Sequence, residues 1–255
     1  MTDYLAALKP EDLAKFYGRI ADGVDSNKGM LKVSLAALLM RQWLKNRDPK
    51  SLYEFEAPDH LKDRAEVLDT LAFQRRVLLT QEKARFTGGI TKWAGVVPRI
   101  VGVKPFQKWD TTAPLSMEYE SLVEMPLRYQ LTGDDADRDV LYGLRGFQLK
   151  SSVVLSAAGT AANGNLKLVF QTYNAQAADR YDWNYSEHIT VPNPDFGSNS
   201  KDAVAPKERK LIVYHKHAKR LEDAQLAAPY DLRTKPWAVD LKFRQPAEVP
   251  TTMPR

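Results

Sequence analysis

The spacing of apolar residues changes its period near residue 110. Before that point, apolar residues recur every three or four positions, which is the repeat of a helix that buries one face. Pro10 suits a first helical turn, and Asp59 is placed to cap a later helix. Three helices are therefore predicted, the second ending near Asp48-Pro49, with these apolar stripes: Leu13, Phe16, Tyr17 and Ile20; Leu31, Leu35, Leu38, Leu39 and Trp43; Leu61, Ala65, Leu68, Ala72 and Leu79.

After residue 110 the period is two. Residues 115–123 alternate between apolar and polar side chains, as in a half-buried strand. Two more strands are predicted over "GFQLKSSVVLSAAG" and "NLKLVFQTYNAQ". Asn163-Gly164 between them favours a tight hairpin turn whose two central residues have positive φ. Later strands are predicted over "KLIVYHKHAKR" and "WAVDLKF".

These patterns predict an α+β fold with two domains. Residues 1–110 form a helical domain for delivery or scaffolding, and residues 111–255 form an antiparallel β domain. The glycine-rich stretch 86–105 connects the two. The short strands of the second domain favour a barrel or half-barrel.

Composition limits the classes of function. A hydrophobic fraction of 44% and a charged fraction of 27% are those of a chain with a packed core. The absence of cysteine excludes disulfides, thiolate metal sites and a cysteine nucleophile. The net charge of +5 favours an anionic partner, such as nucleic acid, anionic lipid or a phosphorylated small molecule. The first residues lack the basic and apolar regions of a signal peptide.

Titratable groups concentrate in "DRYDWNYSEH", residues 179–188, where a predicted strand runs into a loop. Asp179 and Asp182 converge only if the chain turns there, and convergent carboxylates need a cation or a shared proton. A hard ion such as Mg²⁺ accepts one or two carboxylates together with waters and a substrate phosphate. His188 adds a group that exchanges a proton near neutral pH. The residues alone leave open whether this is an active site or a solvated turn.

The same residues resemble a family motif. Asp179, Tyr181, Asp182 and His188 match the pattern Asp-x-Tyr-Asp-x₅-His of the M-type bacteriocins, the colicin M family. Trp183 and Asn184 resemble the aromatic-Asn pair of that motif, and the preceding hairpin and "APYDLRTKPW" resemble neighbouring parts of its catalytic domain. The resemblance covers roughly residues 140–245. It implies a β half-barrel that hydrolyses lipid II, the undecaprenyl-linked peptidoglycan precursor, between the lipid and the pyrophosphate.

The resemblance also implies roles for residues. Asp182, with Asp179, would hold Mg²⁺ or another divalent cation; His188 would transfer a proton; Tyr181 would orient a carboxylate or a phosphate oxygen. The arginine that follows the histidine in the family is Ile189 here. Either another cation replaces it or the activity has changed or been lost. Arg180 is the favoured replacement, and Arg145 and Arg209 are next.

The resemblance further implies where such a protein acts, and the lack of a signal peptide fits injection by a contact-dependent machine such as type VI secretion. We expect an antibacterial toxin that is secreted without a signal peptide, through type VI-like secretion machinery, and acts in the periplasm of the target cell. Its partners would be lipid II at the membrane surface and a cognate immunity protein, and not nucleic acid.

Two other functions stay open. A nuclease toxin would use His188 with His215 and His217, which share one face if their segment is a strand. A non-catalytic adaptor would explain why Ile189 stands where the family has an arginine.

The acidic stretch "TGDDADRD", residues 132–139, lacks the glycine and terminal glutamate of a calcium loop and is predicted to be a hairpin loop.

Overall fold

The predicted α+β class is confirmed by the computed structural model, which describes residues 3–25, 33–80, 99–101, 112–183 and 188–249. The helices are α1 (Pro10–Asp25), α2 (Ser34–Lys45), α3 (Asp59–Lys62), α4 (Ala65–Thr80), α5 (Tyr129–Thr132), α6 (Asp135–Gly143) and α7 (His215–Asp223). The strands are β1 (Leu52–Phe55), β2 (Arg99–Val101), β3 (Leu115–Glu124), β4 (Gly146–Thr160), β5 (Leu166–Tyr181), β6 (His188–Pro192), β7 (Lys210–Tyr214), β8 (Tyr230–Thr234), β9 (Trp237–Ala238) and β10 (Ala247–Val249).

The larger sheet runs in the order β1-β8-β5-β4-β3-β2, and β9 and β10 also pair with β5. The neighbours β2–β3, β3–β4 and β4–β5 are antiparallel, as are the pairs that β9 and β10 make. β6 and β7 form a separate antiparallel pair. Among the described strands the larger sheet has two free ends, so the expectation of a closed barrel is wrong.

The helical stripes before residue 80 were largely predicted correctly. α1 begins at Pro10, and α2 contains the described part of the second stripe, whose Leu31 lies outside the described residues. The third stripe is divided between α3 and α4, because Asp63 leaves the helical conformation with φ −92° and ψ 2°. β1 was not predicted, since four residues are too few to establish a period.

The β4–β5 hairpin was predicted correctly, but its turn is of another type. The N–H of Gly164 donates to the carbonyl of Ala161 at 2.9 Å, and the N–H of Ala161 donates to the carbonyl of Asn165 at 2.7 Å. Gly164 has φ 83°, whereas Asn163 is not among the described residues with positive φ. The left-handed conformation is therefore needed only at the glycine.

The acidic stretch at residues 132–139 was predicted to be a hairpin loop, and this prediction is wrong. Most of the stretch forms the beginning of α6. Asp134 precedes the helix and its carboxylate accepts the N–H of Asp137 at 2.7 Å, while the Asp137 carboxylate accepts the N–H of Asp134 at 3.1 Å. Such a capping box satisfies N–H groups that the first helical turn leaves free. The acidic residues therefore favour a helix start.

The strand predicted over "KLIVYHKHAKR" ends at Tyr214, and α7 begins at His215. Ala218 and Leu221 are buried at helical spacing, which changes the period from two to about 3.6. His215 and His217 therefore do not share a strand face, and that expectation is wrong. In "WAVDLKF" only Trp237–Ala238 is a strand, and Leu241–Arg244 form a 3₁₀ turn.

The chain divides into two compact units, each built from three segments. The first unit contains Met1–Tyr53, Leu127–Arg145 and Asp179–Leu232; the second contains Glu54–Pro126, Gly146–Ala178 and Arg233–Arg255. The domain boundary predicted at residue 110 lies outside the described residues and stays a prediction. None of the described helices has the length and hydropathy to cross a membrane.

The second unit has a polar contact inside its core. Gln74 of α4 is fully buried, and its amide Nε2 donates to the Ser121 hydroxyl at 2.7 Å and to the Leu149 carbonyl at 3.1 Å. Its Oε1 accepts the Ser151 hydroxyl at 2.7 Å. Each buried polar atom of this side chain therefore has a partner, which fixes α4 on β3 and β4.

Candidate functional site at the end of β5

The residues of the predicted site lie on alternating faces at the end of β5. Asp179 is half-buried, Arg180 is exposed, and Tyr181 is only 8% exposed. Side chains two residues apart share a strand face, so Asp179 and Tyr181 point to one side and Arg180 to the other. Asp182 follows the last residue of the strand and is exposed.

The charge of Asp182 acts on the half-buried carboxyl of Asp179. Burial, together with the charge of Asp182, raises the pKa of Asp179 to about 7, although the N–H of Arg180 donates to its carboxylate and opposes the shift. The Asp179 carboxyl therefore exchanges a proton near neutral pH. A bound cation would relieve the repulsion between the two groups.

Tyr181 lies in an aromatic core of the first unit. Its ring stacks on Tyr230 with centroids 5.4 Å apart and planes at 17°, and it lies perpendicular to Trp183 at 6.2 Å. Burial raises the pKa of its hydroxyl above the usual value. The packing accounts for the tyrosine at this position, and its role toward a substrate stays a prediction.

Arg180 is engaged away from the acidic pair. Its Nη1 lies 2.8 Å from Oδ1 of Asp231 on β8, and its Nη2 donates to the carbonyl of Pro49 at 3.2 Å. Both side chains of the ion pair are about half exposed. Arg145, just after α6, is exposed and has φ 47°, and the exposed Arg209 lies over the ring of Phe196.

His188 is the first residue of β6 and is exposed. It pairs in register with Tyr214 of β7, and the two rings lie 5.7 Å apart. Within the described residues, no hydrogen bond or ion pair joins His188 to Asp179 or Asp182. Residues 184–187, between Trp183 and His188, lie outside the described part of the chain, and so does Asn184 of the motif.

The histidines of α7 have different surroundings. His217 is 1% exposed, and its Nε2 lies 3.1 Å and 3.2 Å from the two carboxylate oxygens of Asp3. Burial lowers its pKa, and Asp3 opposes that effect. His215 lies perpendicular to the Trp183 indole at 4.8 Å. The structure thus brings His215, which was not predicted to belong to the motif, against the residue that follows Asp182.

The site offers few protein ligands for a divalent cation, which the resemblance implies. No group of three or more His, Asp or Glu side chains suited to a metal lies within the described ranges. Asp179 and Asp182 nevertheless interact through their charges, and Asp182 is open to solvent. Two carboxylates are what Mg²⁺ takes when waters and a substrate phosphate complete its shell. The residues present therefore fit such an ion with two protein ligands.

No family model, no curated protein and no solved structure matches this chain.

Proposed function

We propose that this chain is an antibacterial toxin that hydrolyses lipid II between the undecaprenyl lipid and the pyrophosphate, and so blocks cell-wall synthesis. The observation that carries the proposal is the acidic pair at the end of β5, in which the half-buried Asp179 carboxyl lies within reach of the charge of the exposed Asp182. The motif resemblance supplies the substrate. The net charge of +5 is consistent with an anionic substrate at a membrane surface.

The roles that we propose for Asp182, Asp179 and His188 take account of how exposed each side chain is. Asp182 is exposed and is the first ligand for Mg²⁺ or another divalent cation, and Asp179 is the second. The cation, when bound, supplies positive charge against the phosphoryl oxygens and makes water more acidic. His188, also exposed, transfers a proton from the attacking water or to the leaving lipid oxygen.

The proposal extends to partners on the same resemblance, and to delivery as a separate expectation. The toxin would pass through type VI-like secretion machinery, act in the periplasm of the target cell, and be neutralised in the producer by a cognate immunity protein. The β half-barrel of the family, and a separate N-terminal helical domain with a boundary near residue 110, belong to this proposal as well.

Expression of the chain in a bacterium, with and without an added periplasmic signal, tests the proposal. We expect lysis only in the periplasmic case, and no lysis with Asp182→Asn at the same expression level. Growth arrest from the cytoplasm would favour the nuclease alternative. Absence of toxicity in both compartments, with a folded protein, would favour the non-catalytic adaptor.

A further inference from the structure

Trp183 is a buried aromatic residue that directly follows the acidic pair. Its indole is 7% exposed, whereas Asp182, the residue bonded to it, is exposed. The chain therefore passes from an exposed carboxylate to a buried indole within one residue. An anchor placed at that point restricts the backbone that carries Asp182.

Rings from α1, α2, β5 and α7 enclose the indole. We name this enclosure the indole cage; its members, with centroid distances to Trp183, are Tyr17 (5.8 Å), Trp43 (5.4 Å), Tyr181 (6.2 Å) and His215 (4.8 Å). Three of the four contacts are perpendicular, with planes at 87° to 89°. Such edge-to-face contacts are favourable and directional, so they fix the plane of the ring as well as its position.

Hydrogen bonding within the described residues does not explain the choice of tryptophan. The indole Nε1 is buried and has no acceptor among them. A buried N–H without a partner is unfavourable, so the ring of Trp183, and not its donor group, is what the surrounding contacts favour. Trp43, in the same cage, differs in this respect because its Nε1 donates to Glu222 at 3.0 Å.

We propose that Trp183 is a positioning residue, held by the indole cage, which keeps the Asp182 carboxylate beside Asp179. The inference rests on the proposed function for its consequence in catalysis, but the positioning itself does not depend on it. His215 of α7 contributes an edge-on ring contact to the cage. Trp43 also belongs to the cage, but unlike Trp183 it is not adjacent in sequence to a residue of the acidic pair.

Spin labelling tests the positioning without a metal or a substrate. The chain has no cysteine, so Asp182→Cys gives a single labelling position. We expect Trp183→Ala to increase the mobility of that label by about threefold or more, and Trp183→Phe to leave it nearly unchanged because a ring still fills the cage. If Trp183→Ala does not fold, Trp183→Leu, which fills space without a ring, takes its place with the same expectation.

Two controls separate positioning from general loosening. A label at Asp12→Cys, on the exposed face of α1, should keep its mobility in every Trp183 variant. Trp43→Phe should lower thermal stability without freeing the label at position 182. Equal mobility at 182 in wild-type and Trp183→Ala backgrounds, or equal loosening at both label sites, overturns the proposal.

A second measurement separates this inference from the proposed function. With Asp182 intact, Trp183→Ala should lower the rate of undecaprenol release from lipid II by about tenfold or more, with Trp183→Phe restoring most of it. If no protein, wild type included, releases lipid while the label at 182 responds as expected, the proposed function fails and the positioning role stands. If the wild type is active and Trp183→Ala retains its full rate, the positioning role in catalysis fails.

Discussion

Arg180 and Asp231 form an ion pair across β5 and β8, with Nη1 2.8 Å from Oδ1. The sequence places Arg180 between two site residues, but strand alternation turns its side chain away from Asp179. To supply charge to a phosphate, Arg180 must therefore first leave both Asp231 and the Pro49 carbonyl.

The ion pair of Arg180 with Asp231 leads to the first prediction. If Arg180 replaces the arginine that is missing at Ile189, Asp231→Asn should raise the rate of lipid release, because the guanidinium then loses its ion pair and keeps the weaker bond to the Pro49 carbonyl. The increase should be up to about fivefold, since an exposed pair is worth at most about 1 kcal/mol. Arg180→Ala should lower the rate by about tenfold. Full activity of Arg180→Ala would mean that Arg145 or Arg209 must be tested instead.

The second prediction concerns pH and Asp179. Burial and the charge of Asp182 raise its pKa from 3.8 to about 7, so the folded state binds this proton more tightly than the unfolded state. The free energy of unfolding should fall as the pH rises from about 4 to about 7, and the penalty should be complete above pH 7. Asp179→Asn should therefore raise stability at pH 8, by up to about 4 kcal/mol if the full difference between the two pKa values acts on folding, and change it little at pH 4.

Denaturant unfolding at pH 4, 6 and 8 measures this effect, with the exposed loop variant Asp202→Asn as the control. Mg²⁺ should raise the melting temperature of the wild type at pH 8 more than at pH 4, because only the ionised pair attracts it. A pH-independent difference between Asp179→Asn and the wild type would contradict the assigned pKa.

The third prediction concerns stability in the first unit. The buried carboxylate of Asp139, on α6, accepts the backbone N–H groups of Leu35 at 2.9 Å and Ala36 at 2.8 Å, at the start of α2. These are N–H groups that the first helical turn cannot satisfy itself. Asp139→Ala should lower the free energy of unfolding by about 2 kcal/mol. Asp202→Ala, on an exposed loop, should change it by less than about 0.5 kcal/mol.

The fourth prediction separates the histidines. His188→Ala should lower the rate of lipid release by at least about 10²-fold, the usual scale for loss of a general acid or base, and leave the melting temperature nearly unchanged. His217→Ala should instead lower stability, because His217 is buried against Asp3. A rate that depends on His217 and not on His188 in folded proteins would place the chemistry on α7.

Part of this structure was predictable because its signals are local. α1, α2 and β3 to β5 have long periodic runs, and the acidic pair lies at the strand end that the sequence indicates. α6 was missed because an acidic run is typical of both a loop and a capped helix start. α7 was missed because His215 and His217 are two residues apart, so they appeared to continue the period of two that β7 shows.

The surroundings of the site were not predictable, because they depend on partners distant in the chain. Asp231 lies 51 residues beyond Arg180, and Asp3 lies 214 residues before His217. The indole cage likewise assembles Tyr17 and Trp43 around Trp183. Single-sequence periodicity reports which face a residue occupies but not which side chain it meets there.

The most direct test of the central claim is release of undecaprenol from labelled lipid II in the presence of Mg²⁺, for the wild type and for Asp182→Asn. Asp182 is exposed, so its loss should leave the melting temperature nearly unchanged. We expect release by the wild type, its loss on chelation, and a rate at least about 10²-fold lower for Asp182→Asn. A full rate in the folded variant, or no release by the wild type, would contradict the assignment of Asp179 and Asp182 as the centre of a lipid II hydrolase.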